Sequence, residues 1–76
     1  MNNSRDDKRM VAFGAHLRKI RKAKKWTMKD LAFAADVELS QIHRIEKGKI
    51  NPTLTTILLL ADALEISATS LFDFKY

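Results

Sequence analysis

Apolar residues recur along the chain at the spacing of one helical face, and this pattern predicts a mostly helical protein. Phe13, Leu17 and Ile20 stand at i, i+4 and i+7 and predict a first helix over 11–24. The preceding residues, 1–10, are mostly polar, and we interpret them as a flexible arm or as the start of this helix.

The next segment predicts a second, short helix with its own start signal. Thr27 is a favourable N-cap residue, and Asp30 follows at the third helical position, which completes the spacing of a capping box. This spacing predicts a helix over about 28–35. Asp36 is the predicted turn residue, because a tight turn needs positive φ and Asp tolerates it.

A third helix is predicted over about 39–47, with Ile42 and Ile45 on its buried side. At about 100° per residue, the side opposite these two residues is polar. Its members are Ser40, Arg44 and Lys47, with Gln41 and His43 beside them. Such a helix has an apolar side for the core and a basic side for a ligand.

Two further helices complete the predicted fold. Thr53 is the predicted N-cap of a fourth helix over 54–64, in which apolar residues recur at helical spacing. Ser67 is predicted to cap a short fifth helix from residue 68 to about residue 72. With only two Gly and one Pro in the chain, the pattern predicts an all-α domain of five helices.

Positive charge is concentrated in the first part of the chain. The 76 residues have a formal net charge of +5. Residues 1–49 contain 13 of the 14 Lys and Arg against six acidic residues, a charge of +7, whereas residues 50–76 have a charge of −2. A polyanion is therefore expected to bind the first part. The basic run over 18–25, taken alone, is interpreted as a solvated helix surface.

Several kinds of site are not expected. Cys is absent and the two His, His16 and His43, are distant in sequence, so we expect no metal, no cofactor and no catalytic centre. No apolar run approaches the roughly 20 residues that span a bilayer, and the N-terminus lacks the apolar core of a signal peptide. We therefore expect a cytoplasmic protein without membrane contact that is not an enzyme.

Five segments resemble, in their order and spacing, the lambda-repressor-like helix-turn-helix family of the Xre/Cro type. They are Leu17–Arg21, Thr27–Ala32, Ile42–Glu46, Gly48–Pro52 and Ala61–Leu64. The resemblance implies a five-helix domain over 11–76 that binds double-stranded operator DNA, usually as a dimer. The third helix would then be the recognition helix.

The resemblance also implies roles for individual residues. The positions that face bases in the family are occupied here by Glu38, Leu39, Ser40, Gln41 and Arg44. The residues expected to contact DNA phosphates are Thr27, Met28, His43, Lys47, Lys49 and Asn51. Arg21 and Glu46 match a pair that forms a buried salt bridge in the family; the alternative is two separate surface charges.

The chemistry of these side chains refines the expected contacts. Arg44 has the geometry for two hydrogen bonds with guanine, and Gln41 for two with adenine. Leu39 is expected either to contact a thymine methyl group or to pack against the turn. Glu38 replaces the usual Ser or Thr. Its carboxylate either accepts a hydrogen bond from cytosine N4 or opposes DNA binding because it repels the phosphates. Met28 replaces a frequent Gln, which leaves the backbone N–H groups and the helix dipole for a phosphate contact.

Aromatic residues are concentrated at the C-terminus, in excess of what a small core requires there. One alternative is that Leu71 and Phe72 simply close the core. We predict instead that helix five and the tail, 68–76, form a two-fold dimer. The predicted interface residues are Leu59, Phe72, Phe74 and Tyr76.

These features predict a sequence-specific DNA-binding transcriptional regulator that acts as a homodimer on a near-palindromic operator. So small a domain fits control of its own gene or of restriction–modification genes, and no small-molecule ligand is expected. The alternative is an antitoxin or a protein-interaction module that uses the same fold and binds nucleic acid without sequence preference.

Overall fold

Five α-helices and no strand make up residues 7–76, the part of the chain that the computed structural model describes. In chain order the helices are α1 Lys8–Ala23, α2 Met28–Ala35, α3 Leu39–Glu46, α4 Leu54–Leu64 and α5 Ala68–Leu71. This is the all-α, five-helix architecture that the sequence predicts. None of these five helices is long and apolar enough to cross a membrane.

Helix α1 begins three residues before the predicted position, because Asp7 caps it. The Asp7 carboxylate accepts hydrogen bonds from the backbone N–H and from the Nε of Arg9, both at 2.9 Å. These bonds also lower the pKa of Asp7. The apolar periodicity does not extend to this cap, so periodicity alone places the start too late. Residues 8–10 form the start of α1, which is one of the two alternatives given for residues 1–10. Residues 1–6 of the predicted arm lie outside the described residues.

Local polar contacts fix both ends of α2. Thr27 Oγ1 accepts a hydrogen bond from the Asp30 N–H at 3.1 Å, and Asp30 Oδ2 accepts one from the Thr27 N–H at 2.8 Å. This reciprocal pair is a capping box. Asp36 ends the helix in the left-handed region, with φ of 57° and ψ of 46°. Both ends of α2 are therefore determined by residues adjacent to it in the sequence.

One hydrophobic core joins all five helices. Its fully buried large side chains are Leu17, Leu31, Ile42, Ile45, Leu60, Leu64 and Leu71. Burial of each such side chain contributes roughly 1.5–3 kcal/mol. The only apolar residues that α3 buries are Ile42 and Ile45, so most of the surface of this helix is free for a ligand.

Helices α1 and α3 approach each other closely at Gly14. A Cβ atom at this position would lie 2.8 Å from the carbonyl oxygen of Glu46 and closer still to that of Ile45. Both are backbone atoms, which cannot move aside as the tip of a side chain can. Gly48, with φ of 72°, brings the chain after α3 against Val11 of α1. The backbone of α1 therefore sets the position of the C-terminal end of α3.

We expect Gly14→Ala to destabilise the fold by about 1–3 kcal/mol, because the added methyl group overlaps the backbone oxygens at the end of α3. Helix propensity alone would favour Ala by about 0.5–1 kcal/mol, so the steric effect has the opposite sign. Urea denaturation measures the difference. Ala15→Gly, at the next and exposed position, should cost about 1 kcal/mol through propensity alone. A Gly14→Ala protein at least as stable as the wild type would contradict the close approach.

Candidate nucleic-acid interface

A turn of three residues, 36–38, joins α2 to α3. The left-handed Asp36 reverses the chain, and its N–H donates to the carbonyl of Phe33 at 3.3 Å. The N–H of Val37 donates to the carbonyl of Ala32 at 3.0 Å. These two bonds close the end of α2 and fix the start of α3. The two helices thus form a helix-turn-helix unit.

Helix α3 has one buried side and one exposed side. Ile42 and Ile45 are at most 1% exposed. Of the residues predicted to face bases, Gln41 is half-buried, and those exposed are Glu38, Leu39, Ser40 and Arg44. The predicted base-contacting residues are therefore accessible from outside the protein.

The first turn of α3 leaves the side chain of Glu38 free. Glu38 is the N-cap residue, but its side chain forms no hydrogen bond to the helix, so its exposed carboxylate is available to a ligand. The next residue, Leu39, is 42% exposed and lines a groove with Phe33 and Leu59. Part of the Leu39 side chain thus packs against the protein and part of it is accessible.

A cleft of about 380 Å³ runs along the exposed side of α3, and we call it the α3 cleft. Its lining residues are Ser40, His43, Arg44, Lys47 and Lys49. The structure therefore brings three predicted phosphate-contacting residues together with two predicted base-contacting residues. Within residues 7–76, none of the three Lys and Arg side chains in this cleft forms an ion pair.

The other predicted phosphate-contacting residues lie apart from the α3 cleft. Thr27 is exposed at the N-terminus of α2. Met28 packs partly against the core and lines a second cleft, which also contains His43 and Lys47. Asn51 lines a third cleft beside the C-terminal aromatic residues, so the structure does not bring it to the α3 cleft.

The second cleft, here named the α1–α3 cleft, contains basic residues of the run over 18–25, which the sequence alone interprets as a solvated helix surface. It has a volume of about 470 Å³, and α1 contributes Arg18, Lys19 and Lys22 together with Ala15. These four residues have the spacing i, i+3, i+4 and i+7, which places them on one face of α1. This spacing is a signal in the sequence, but only the fold shows that α3 lies opposite that face.

The charge of the α1–α3 cleft favours an anion. Its acidic member, Glu46, has both carboxylate oxygens bonded to Arg21. The other charged side chains in its lining are Arg18, Lys19, Lys22 and Lys47. Within residues 7–76, no cluster of three or more His, Asp or Glu could hold a metal ion. A negatively charged group is therefore the ligand that this cleft attracts.

A buried ion pair between Arg21 and Glu46 fixes the orientation of α3 relative to α1. Arg21 Nε donates to Glu46 Oε2 at 2.7 Å, and Arg21 Nη2 donates to Glu46 Oε1 at 2.9 Å. The remaining Nη1 donates to the backbone carbonyl of Trp26 at 2.7 Å. The two side chains are only 7% and 4% exposed. The hydrogen bonds with Glu46 raise the pKa of Arg21, so the guanidinium stays charged.

The C-terminal aromatic residues pack against α1 of their own chain. The ring centroid of Phe13 lies 5.8 Å from that of Phe72 and 6.1 Å from that of Phe74. Phe72 and Tyr76 nevertheless remain 51% and 76% exposed. Leu59 lines the separate groove beside α2. The structure therefore does not bring Leu59 into the cleft that the three aromatic residues line.

Residues 17–71 match a family model described as helix-turn-helix. The restriction-modification controller protein C.AhdI from Aeromonas hydrophila is 40% identical, with a TM-score of 0.82 over 83% of this chain and 96% of that protein. The clp gene regulator ClgR from C. glutamicum is 27% identical, with a TM-score of 0.76 over 82% of this chain and 80% of that one. The wild-type restriction-modification controller protein C.Esp1396I is 26% identical, with a TM-score of 0.82 over 90% of this chain and 87% of that protein. No curated protein matches the sequence.

Removal of one partner of the buried ion pair should destabilise the protein strongly. We expect Glu46→Ala to cost about 3–5 kcal/mol, because Arg21 then remains buried without a counter-charge. Thermal denaturation measures the effect as a large fall in the midpoint.

Two further variants separate this effect from a general loss of charge. Asp62→Ala removes an exposed carboxylate from α4 and should change stability by no more than about 0.5 kcal/mol. The double variant Arg21→Met with Glu46→Leu should be more stable than Glu46→Ala, since no buried charge is left unpaired. An unchanged midpoint for Glu46→Ala would show that the pair does not hold the fold.

Proposed function

This chain belongs to the helix-turn-helix family of DNA-binding transcriptional regulators, and from this membership we propose that it binds a specific operator as a homodimer. The observation that supports the proposal is the exposed polar side of α3. The Arg21–Glu46 pair holds that side outward, and cations without ion-pair partners within residues 7–76 flank it. An α-helix fits the major groove of DNA, so we propose that α3 occupies it.

The bases are read by the first two turns of α3 in this proposal. Arg44 donates two hydrogen bonds to guanine, and Gln41 bonds to adenine from the edge of the helix. Glu38 accepts from cytosine N4, which is supported by a carboxylate that the helix itself does not use. Ser40 bonds a neighbouring base, and the accessible part of Leu39 contacts a thymine methyl group.

The phosphates on either side of α3 are held by backbone and cationic groups. His43, Lys47 and Lys49 line the same cleft as Arg44, which supports their proposed contacts with the phosphates beside the bases that Arg44 reads. Thr27 and Met28 contribute through the backbone N–H groups at the positive end of the α2 dipole.

The proposed dimer forms through α5 and the C-terminal tail. Phe72 and Tyr76 present accessible aromatic surface there. Residues 50–76 have a charge of −2 whereas residues 1–49 have +7, so two copies can approach at this end with little repulsion. A two-fold dimer would place two α3 helices about 34 Å apart, one turn of DNA, on a near-palindromic operator.

Similarity to C.AhdI supports a more specific role. The 40% identity covers 96% of that restriction-modification controller protein. We therefore propose that this chain, acting in the cytoplasm, controls transcription of restriction–modification genes, its own gene among them.

A protein-interaction module is the second candidate, and one observation favours it. Phe33 is 91% exposed on α2 and lines a groove with Leu39 and Leu59. Exposed large apolar side chains that lie together are typical of a surface that binds another protein. Under this hypothesis the basic side of α3 would bind DNA of every sequence equally weakly.

Selection of bound sequences from a random pool of DNA distinguishes the two candidates. We expect enrichment of a near-palindrome with half-sites one DNA turn apart. We also expect enrichment of cytosine at the base position that Glu38 contacts. Arg44→Ala should then lose about 1–3 kcal/mol of binding free energy and relax the preference at one base position, whereas Lys49→Ala should weaken binding to all sequences alike. Both variants remove one exposed positive charge, so each is the control for the other.

Equal recovery of all sequences from the pool would refute the specific regulator. If Lys49→Ala relaxed the base preference at one position and Arg44→Ala did not, the assigned orientation of α3 on the DNA would be wrong.

Sedimentation equilibrium at micromolar protein, with and without operator DNA, tests the dimer. We expect a dimer on DNA for the wild type and a weaker association for Tyr76→Ser, which removes the most exposed ring of the C-terminal cleft. Phe33→Ser removes an exposed ring on α2 and should associate like the wild type. A wild-type protein that stays monomeric under both conditions would rule the proposed dimer out.

A further inference from the structure

The His16 side chain joins α1 to the last turn of α5 and lines neither cleft beside α3. Its Nε2 lies 2.7 Å from the backbone carbonyl oxygen of Ser70, 54 positions later in the sequence. A carbonyl oxygen only accepts hydrogen bonds, so Nε2 carries the proton and donates it. We propose that His16 is a positioning residue for self-association, which holds the C-terminal tail in the conformation that the dimer requires. This inference rests on the proposed dimer through α5 and the tail.

Helix α5 is too short to hold its own position. It has four residues, of which only Leu71 is buried. An isolated helix of one turn is not stable in water, so contacts with the rest of the fold must hold it. Within residues 7–76, side-chain hydrogen bonds join two helices at only two places, the Arg21–Glu46 pair and the bond from His16 to α5. The His16 bond is therefore the only directed side-chain contact that ties α5 to another helix in this part of the chain.

The bond lies where α5 ends and the tail begins. Carbonyl groups in the last turn of a helix have no partner within the helix, so other donors must reach them. The Ser70 carbonyl oxygen accepts a hydrogen bond from the Asp73 N–H at 3.3 Å, whereas the bond from His16 is shorter, at 2.7 Å. Loss of the imidazole donor would leave the end of α5 held mainly by this longer bond. The direction in which the tail leaves α5 then becomes less well defined.

The imidazole ring also packs against the tail itself. Its centroid lies 5.8 Å from that of Phe74, whose ring is 6.1 Å from Phe13 and 6.2 Å from Tyr76. These distances are within the range in which tilted aromatic rings attract each other. Phe74 is half-buried, whereas Tyr76 is largely exposed. His16 therefore contacts the inner ring of the tail, and this inner ring supports the outer one.

Preorganisation is the physical reason why these contacts would affect association. A tail that is already ordered in the free monomer loses little conformational entropy when the dimer forms, whereas a loosely held tail loses more and associates more weakly. His16 does not line the cleft of the C-terminal aromatic residues, so it acts through the tail and not by contact with the partner. Its effect on association is therefore separable from its effect on α3.

Two substitutions of His16 separate the hydrogen bond from the packing. His16→Leu keeps an apolar side chain beside Phe74 and removes the donor. His16→Gln keeps an N–H donor at the same number of bonds from Cβ as Nε2. In sedimentation equilibrium from micromolar to millimolar protein without DNA, we expect the dissociation constant of the dimer to rise about 5- to 50-fold for His16→Leu, since each of the two copies loses a bond. His16→Gln should stay within about threefold of the wild type.

Two controls test whether the effect is specific. Ser70→Ala removes an exposed hydroxyl group and keeps the carbonyl group that His16 uses, so the dissociation constant should not change. Ala15→Gly lowers the thermal midpoint through helix propensity, at a position of α1 that lines the α1–α3 cleft, and should leave association unchanged. Circular dichroism verifies that every variant is folded.

Binding to DNA gives a second measurement of the same effect. A duplex with a single half-site of the selected operator should bind His16→Leu as tightly as the wild type, because α3 reads a half-site without the tail. The full operator should bind His16→Leu more weakly, by a factor that His16→Gln restores. A variant that merely damaged the fold would lose affinity for both duplexes alike.

The outcomes separate this inference from the proposed function. A wild type that stays monomeric with and without operator DNA would refute the proposed dimer, and the role of His16 with it. A wild-type dimer whose dissociation constant and full-operator affinity are unchanged in His16→Leu would overturn the role of His16 alone. Equal weakening by His16→Leu and His16→Gln would show that the donor does not matter. Equal weakening by Ala15→Gly would show a general loss of stability, and either result would overturn the inference.

Discussion

The buried ion pair between Arg21 and Glu46 is the interaction on which the presentation of α3 depends. Helix α3 has only eight residues, and its only buried apolar residues are Ile42 and Ile45, too few to define its rotation about its own axis. The bidentate pair adds two directed bonds near its C-terminal end, and Arg21 also bonds to the carbonyl of Trp26. Burial of two charges is costly, so the gain lies in a defined orientation more than in net stability.

The same packing of α1 against α3 determines where the charge of the protein is displayed. Close approach at Gly14 brings one basic face of α1 to the cleft beside α3. Basic residues of two separate helices thereby line the clefts beside α3. Residues 50–76, with a charge of −2, supply α4, α5 and the aromatic end of the molecule. The proposed binding of a polyanion and the proposed association with another copy would thus use chemically different parts of one small domain.

Local signals account for most of the fold. The capping box of Thr27 and Asp30 and the caps at Thr53 and Ser67 depend on residues within three positions of each other, so the sequence predicts them directly. The start of α1 was harder to predict, because the apolar periodicity begins after Asp7, although the bond from the Arg9 N–H to the Asp7 carboxylate has the standard spacing of an N-cap. The candidate site is less predictable than the fold, since its clefts combine residues from helices distant in sequence.

The sequence by itself determined the five helices, the buried side of α3 and the strong basic bias of the first part, because periodicity, caps and charge are local properties. Tertiary structure alone decided which surfaces meet. It placed the basic face of α1 opposite α3, separated Leu59 from the C-terminal aromatic residues, and put Asn51 in a different cleft from Lys49. The physical reason is that the close contact at Gly14 and the buried ion pair set the angle between helices, which no local pattern specifies.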